Sequence, residues 1–210
     1  MVRLAVDRPA FHSEADFQHA LAWRIHHDNP DFAIRLESPV LLGSGSRRHI
    51  DLLVRDRLRE TWMELKYPTK GASFRLSGEE YRIGDHRAID VGRYSFWEDV
   101  VRLEKLVAAA PSLRRTGIAV FLTNDRRYWE NGGSGRALDE PFRFYEDVTF
   151  HGDLVWAESP GKDLPFPWER HSKGSCLRLR GRYRVRWQDF GSSRRDIPDP
   201  FRFFFVSMQQ

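Results

Sequence analysis

The spacing of apolar positions changes several times along the chain, and each change marks an element. Phe17, Leu21 and Ile25 recur every four residues, with Ala20 and Trp23 beside them, which predicts a helix running to about His27. Ser13 stands in front as a side-chain cap. Glu14 and Asp16 put negative charge where a helix N-terminus favours it, and Asn29-Pro30 ends the run. Phe32 to Leu42 reads as a strand. His49 to Arg55 and Thr61 to Tyr67 read as two more, joined by the charged stretch Asp56 to Glu60. Tyr94 to Ala110 carries the clearest helical stripe: Phe96, Val100, Leu103 and Val107. Ser95 and Glu98 are spaced as a capping box, and Asp99, Arg102, Glu104 and Lys105 are expected to form a solvated face. Thr116 to Thr123 is almost continuously apolar, as a strand covered on both faces would be.

Two stretches carry weaker patterns. Pro68 to Arg93 mixes Gly71, Gly78, Gly84 and Gly92 with many charges. It is expected to be irregular, or to hold a short helix around Gly78 to Tyr81. Beyond residue 125, Tyr128 to Gly135 reads as a loop. Phe142 to Phe150 and Leu154 to Glu158 read as short strands or a helical turn, and Pro160 to Lys173 as another loop. Cys176 to Asp189 alternates apolar residues with arginines, with Gly181 between two short strands or at a bulge. Phe201 to Met208 is a last apolar strand.

Composition narrows the class. At 210 residues, with 40% hydrophobic and 13% aromatic content, the chain is long and apolar enough for one domain with a substantial core. The formal charge of +4 and pI near 9.4 suit a nucleic-acid partner if the arginines cluster. Cys176 is the single cysteine, so no intrachain disulfide and no cysteine-rich zinc site can form. Asp7, Arg8 and Pro9 fall where the apolar core of a signal peptide would run. No apolar run spans a bilayer, so a soluble cytoplasmic protein with no membrane partner is expected.

The chemistry concentrates between Arg48 and Tyr67. Strand alternation puts Glu64 and Lys66 on one face and Met63, Leu65 and Tyr67 on the other. Hairpin pairing would bring Asp51 beside Glu64. Two carboxylates held close are costly without a cation, and hard oxygen donors suit Mg²⁺. Lysine is scarce: only Lys66, Lys70, Lys105, Lys162 and Lys173 occur, and arginine does the other cationic work. Asp51 followed thirteen positions later (64 minus 51) by Glu64-Leu65-Lys66 resembles the motif of the PD-(D/E)XK nuclease superfamily, although Ile50 stands where that motif has proline.

That resemblance implies an α/β, restriction-endonuclease-like core of order αβββαβ over roughly residues 12–125. It would have a mixed central sheet flanked by helices, with a β-rich part over 126–210 completing a single domain. It also implies that Asp51 and Glu64 ligate Mg²⁺ (Mn²⁺ being an alternative), with the Leu65 carbonyl as a further ligand. Lys66 would position or activate the attacking water. The family's first core helix often supplies another acid, which points to Glu14, with Glu37 as the alternative. Arg47 and Arg48, ending a small-residue loop from Gly43, together with Lys70 and Arg75, are suited to phosphate contacts, although a plain turn would use the same residues. The expected function is a metal-dependent nuclease that hydrolyses phosphodiester bonds, in DNA before RNA, in restriction, repair or phage defence. The alternative is a non-catalytic module on the same fold that binds nucleic acid or protein. A homodimer or a partner subunit is left open. Asp125, just past the apolar strand, is expected to serve a turn.

Overall fold

The computed structural model describes residues 1–41, 47–109, 114–131, 137–157, 176–191 and 196–209, with the side chains of Leu41 and Arg47 left aside. The loop expected at Gly43 to Ser46, the one at Pro160 to Lys173, and Glu158 lie outside the described residues, as does the end of the loop expected at Tyr128 to Gly135.

Helix α1 (Val2–Asp7) leads into α2 (Glu14–Asp28). Ser13 caps α2 from extended backbone, its Oγ accepting the Asp16 N–H at 3.1 Å. Strands β1 (Ala33–Leu41), β2 (Arg47–Arg55) and β3 (Arg59–Lys66) follow as an antiparallel meander. The hairpin of β4 (Ala72–Leu76) and β5 (Glu79–Ile83) precedes α3 (Ile89–Ala108). Helix α3 carries the chain over to β6 (Arg114–Thr123), which lies parallel to β3, as a helical crossover allows. Two short 3₁₀ turns (Arg126–Tyr128 and Glu140–Phe142) precede β7 (Thr149–Leu154) and β8 (Leu177–Arg184). The chain closes with β9 (Gln188–Asp189) and β10 (Arg202–Gln209).

The central sheet has the order β1-β2-β3-β6-β10-β9, while β4-β5 and β7-β8 are separate two-stranded sheets. The protein is thus an α/β fold with a mixed central sheet and few helices. Among the described residues no helix is long and apolar enough to cross a membrane.

Each face of the central sheet buries its own core. Trp62, Ala119, Phe121 and Phe204 pack with α3 and the β7-β8 sheet. Met63, Leu65, Tyr67, Val120 and Leu122 pack with α1, α2 and the β4-β5 hairpin. The alternation expected along β3 is therefore observed, and β6 is buried on both faces.

Three expectations are corrected. No helix forms around Gly78 to Tyr81. Ser77 and Gly78 both take positive φ (50° and 86°), the requirement of a two-residue type I′ hairpin turn, and β4 pairs with β5 across it. Ser95 does not cap a helix. Helix α3 begins six residues earlier at Ile89 without a side-chain cap, and Ser95 Oγ donates to the Gly92 carbonyl inside it. Gly92 is required there, since a Cβ would lie 2.3 Å from the Tyr128 hydroxyl oxygen. Asp99 and Glu104 are not solvated: they are 3% and 7% exposed. The Glu104 carboxylate accepts the N–H groups of Arg180 and Gly181 and the Tyr183 hydroxyl, which fixes the irregular step between β7 and β8 where the pairing jumps from Phe150↔Tyr183 to Gly152↔Leu179. Gly181 lies within that step, inside one strand rather than between two.

Candidate functional site

The site forms where β2 parts from its neighbours. The β2–β3 ladder runs from Arg55↔Glu60 to Leu52↔Met63 and stops one rung short of Asp51 and Glu64. The β1–β2 ladder keeps one register throughout, yet the Glu37–Asp51 rung is missing, and Glu37 sits at φ 49°. Backbone groups released in this way need other partners. The Leu65 N–H donates to Asp51 Oδ2 at 2.7 Å, and the Tyr67 N–H donates to Glu14 Oε2 at 2.8 Å. Gln18 Nε2 donates to the Asp51 carbonyl at 2.6 Å and to Glu37 Oε1 at 2.9 Å. Two carboxylates from different elements therefore meet alternate N–H groups at the end of β3, and α2 supplies both Glu14 and Gln18.

Glu64 and Lys66, next to these groups on β3, face α3. Arg102 Nε donates to Glu64 Oε1 at 3.0 Å, and Nη2 forms ion pairs with the same oxygen at 2.6 Å and with Asp99 Oδ1 at 2.7 Å. Lys66 Nζ lies 2.8 Å from Asp99 Oδ2. Asp99 thus bridges both cations. Among the described residues, four carboxyl groups (Glu14, Asp51, Glu64 and Asp99) gather around two cations, Lys66 and Arg102, so the acids outnumber the cations by two.

That excess shows in the acidities. Burial, reinforced by the charges of Glu14 and Asp99, pushes the Asp51 carboxyl up to about 6 against the pull of the Leu65 N–H and Lys66. Burial and the neighbouring Asp99 push Glu64 up to about 8, with Asp51 adding to the rise and Arg102 opposing it. Burial lowers the Lys66 value, but Asp99, Glu14 and Asp51 outweigh it, so the ammonium is held above its ordinary pKa. Lys66 is therefore a hydrogen-bond donor and a fixed cation at neutral pH, rather than a base.

Beside this cluster opens a cleft of ≈ 640 Å³. Glu14 and Lys66 line it, with buried Tyr67, Phe121 and Tyr128 and exposed His12, His86 and Arg87. Asp51, Glu64, Lys66 and Glu14 are thus brought together. Glu37 is joined to the group through Gln18. The Leu65 side chain is buried on the opposite face, and its N–H serves Asp51. Arg48, Lys70 and Arg75 are exposed, and Lys70 Nζ pairs with Asp199 at 3.2 Å. The Arg47 side chain lies outside the described residues. Asp125 accepts the Arg127 N–H at 3.0 Å and caps the first 3₁₀ turn, a turn role as expected.

Gln18, Asp99 and Arg102 were not singled out by the sequence. Helical spacing carried a signal for two of them. Gln18 is three residues before Leu21, and Asp99 is three after Phe96, so each lies on a buried face where a polar group needs a partner. Among the described residues, no three acidic, histidine or cysteine side chains are gathered in an arrangement that holds a metal ion. Compared with protein-family models, with curated proteins and with solved structures, the chain finds no match.

Proposed function

We propose that this chain is a divalent-metal-dependent nuclease of the PD-(D/E)XK type, with a restriction-endonuclease-like core formed by α2, β1–β3, α3 and β6. The observation that carries the reading is the convergence of Asp51, Glu64, Lys66 and Glu14 at the point where β2 and β3 part. The strand order β1-β2-β3-β6, with a helical crossover into a parallel strand, supports it. The donor set fits Mg²⁺ or Mn²⁺ in its chemistry: hard carboxylate oxygens, more acids than cations, and two carboxyls whose burial favours the protonated form and whose ionised form a divalent ion would stabilise. Asp51 and Glu64 would hold the ion, with the Leu65 carbonyl and Glu14 as further oxygen donors. When bound, it would supply charge stabilisation at the phosphate and acidify a water.

The chain's own residues account for the rest. Lys66, fixed by Asp99, directs its ammonium towards the water or the phosphate oxygen. Hydrolysis forms a bond between the water oxygen and phosphorus and breaks the bond to the leaving oxygen, which takes up a proton. The cleft beside Lys66 offers His12, His86 and Arg87 to the flanking phosphates, and the exposed Arg48 and Arg75 are further candidates. DNA is the proposed substrate.

The test is cleavage of plasmid and of short single- and double-stranded DNA in Mg²⁺. Asp51→Asn, Glu64→Gln and Lys66→Met should each lose about a hundredfold or more while keeping a cooperative melt. Parent-level cutting by all three would end this reading. One observation favours the non-catalytic alternative: Glu64 is 3% exposed and already paired with Arg102. DNA binding without cleavage in either Mg²⁺ or Mn²⁺ would establish that module instead.

A further inference from the structure

Glu64 already has a cation, and the protein supplies it. Both contacts from Arg102 fall on one oxygen, Oε1, and Nη2, which makes the shorter of them, is shared with Asp99 Oδ1 at 2.7 Å. The hydrogen bonds to Asp51 and Glu14 likewise fall on single oxygens, Oδ2 and Oε2. Arg102 sits on α3 only three residues from Asp99, so a short swing would free Glu64 without leaving the guanidinium unpaired. Its side chain is 17% exposed, and water does little to weaken the pair.

We infer that Arg102 is a built-in counter-cation, which holds Glu64 in the metal-free protein and retreats onto Asp99 when a divalent ion takes its place. The inference rests on the metal-dependent reading given above. Exchange of one cation for another keeps the buried Glu64 carboxylate compensated at every stage, which a bare carboxylate in that position would not be. It also sets a threshold, since the incoming ion must compete with a bound guanidinium. Asp99 becomes a positioning residue with two duties: it fixes Lys66 and receives Arg102.

The test uses the full chain and the metals alone. Arg102→Met keeps most of the side chain's apolar stem and removes the charge. Calorimetric titration with Mg²⁺ and Mn²⁺ should show binding about tenfold tighter than in the parent. In chelator the variant should melt below the parent, and it should regain the difference when Mg²⁺ is added. Equal or weaker affinity in Arg102→Met, in a parent whose binding is abolished by Asp51→Asn, overturns the inference and leaves the metal-dependent reading standing. Absence of divalent-ion binding in both proteins removes both. A second measurement needs no variant: the ¹⁵N-resolved Nε–H resonance of Arg102 in the parent should shift on saturation with Mg²⁺. A resonance unmoved by a bound ion overturns the inference on its own.

Discussion

Helix α3 supports two buried clusters of opposite kind, and they begin three residues apart. Phe96 belongs to a packing of rings in which Phe121 meets Phe96, Tyr128, Phe144 and Phe204 at centroid distances of 4.8 to 5.7 Å, mostly edge to face. Asp99 belongs to the charged cluster with Lys66, Arg102 and Glu64. The rings are shielded from water, and so are Asp99 and Glu64, while Lys66 reaches the cleft. The ring cluster is held by contact area, which any apolar group of similar shape would supply in part. The charged cluster is held by pairing, and each member is costly if its partner is removed. A fold needs the first kind; the second gives no stability that packed leucines would not. Its presence on the same helix is an argument for chemistry.

The comparison can be broken first in the ring cluster. Phe121→Ala removes the ring at its centre and should cost about 3 to 5 kcal/mol in urea unfolding. A cost below about 1 kcal/mol would mean that the cluster collapses to fill the space and is not the mechanical core. A smaller effect is expected at the parting of β2. Gln18→Ala leaves the Asp51 carbonyl and Glu37 without their shared donor and should cost about 1 to 3 kcal/mol. It should also weaken Mg²⁺ binding, because Asp51 is no longer anchored to α2. An unchanged melt and unchanged affinity would show that the missing rung needs no bridge.

The third effect is a slope with pH. Asp51 and Glu64 both have folded values above their ordinary ones, so the fold favours their protonated forms. The stability they contribute is present in full below about pH 4, falls as pH rises through about 6 and then about 8, and is lost above that. The melting temperature in metal-free buffer should therefore drift downwards from pH 5 to 9. In Glu64→Gln the upper part of the drift, around pH 8, should vanish while the part around pH 6 remains. A parent whose melt is flat across this range would show that the fold does not favour the protonated form of Glu64.

Sequence patterns reached most of the framework, because α2, β1 to β3, the body of α3, β6 and β10 each carry a stripe or an apolar run that one face of the sheet demands. They missed the β4-β5 hairpin, where the deciding feature is a pair of positive φ angles at Ser77 and Gly78 rather than any hydrophobic period. They misplaced the start of α3, because its first turn is fixed from outside: Arg93 is held by Asp139 and by the Arg127 carbonyl, and Gly92 by the approach of Tyr128. In the site, Asp51, Glu64 and Lys66 stood out because charge interrupted apolar strands. Arg102 and Asp99 did not, because charge on a helix is ordinarily solvated and only the crossing of α3 over β3 buries it.

The position of β10 has a consequence for biosynthesis. It forms one whole edge of the pairing with β6, from Thr116↔Gln209 to Thr123↔Arg202. During translation, β6 leaves the ribosome with nothing on that side until another 79 residues (202 minus 123) have been added, on the order of ten seconds at ordinary elongation rates. For that interval an apolar strand offers unpaired N–H and carbonyl groups to any neighbouring chain, and the segment that will cover it, Arg202 to Met208, is itself rich in phenylalanine. Until β10 is made, the edge of β6 is therefore the part of the nascent chain most prone to pair with the wrong strand.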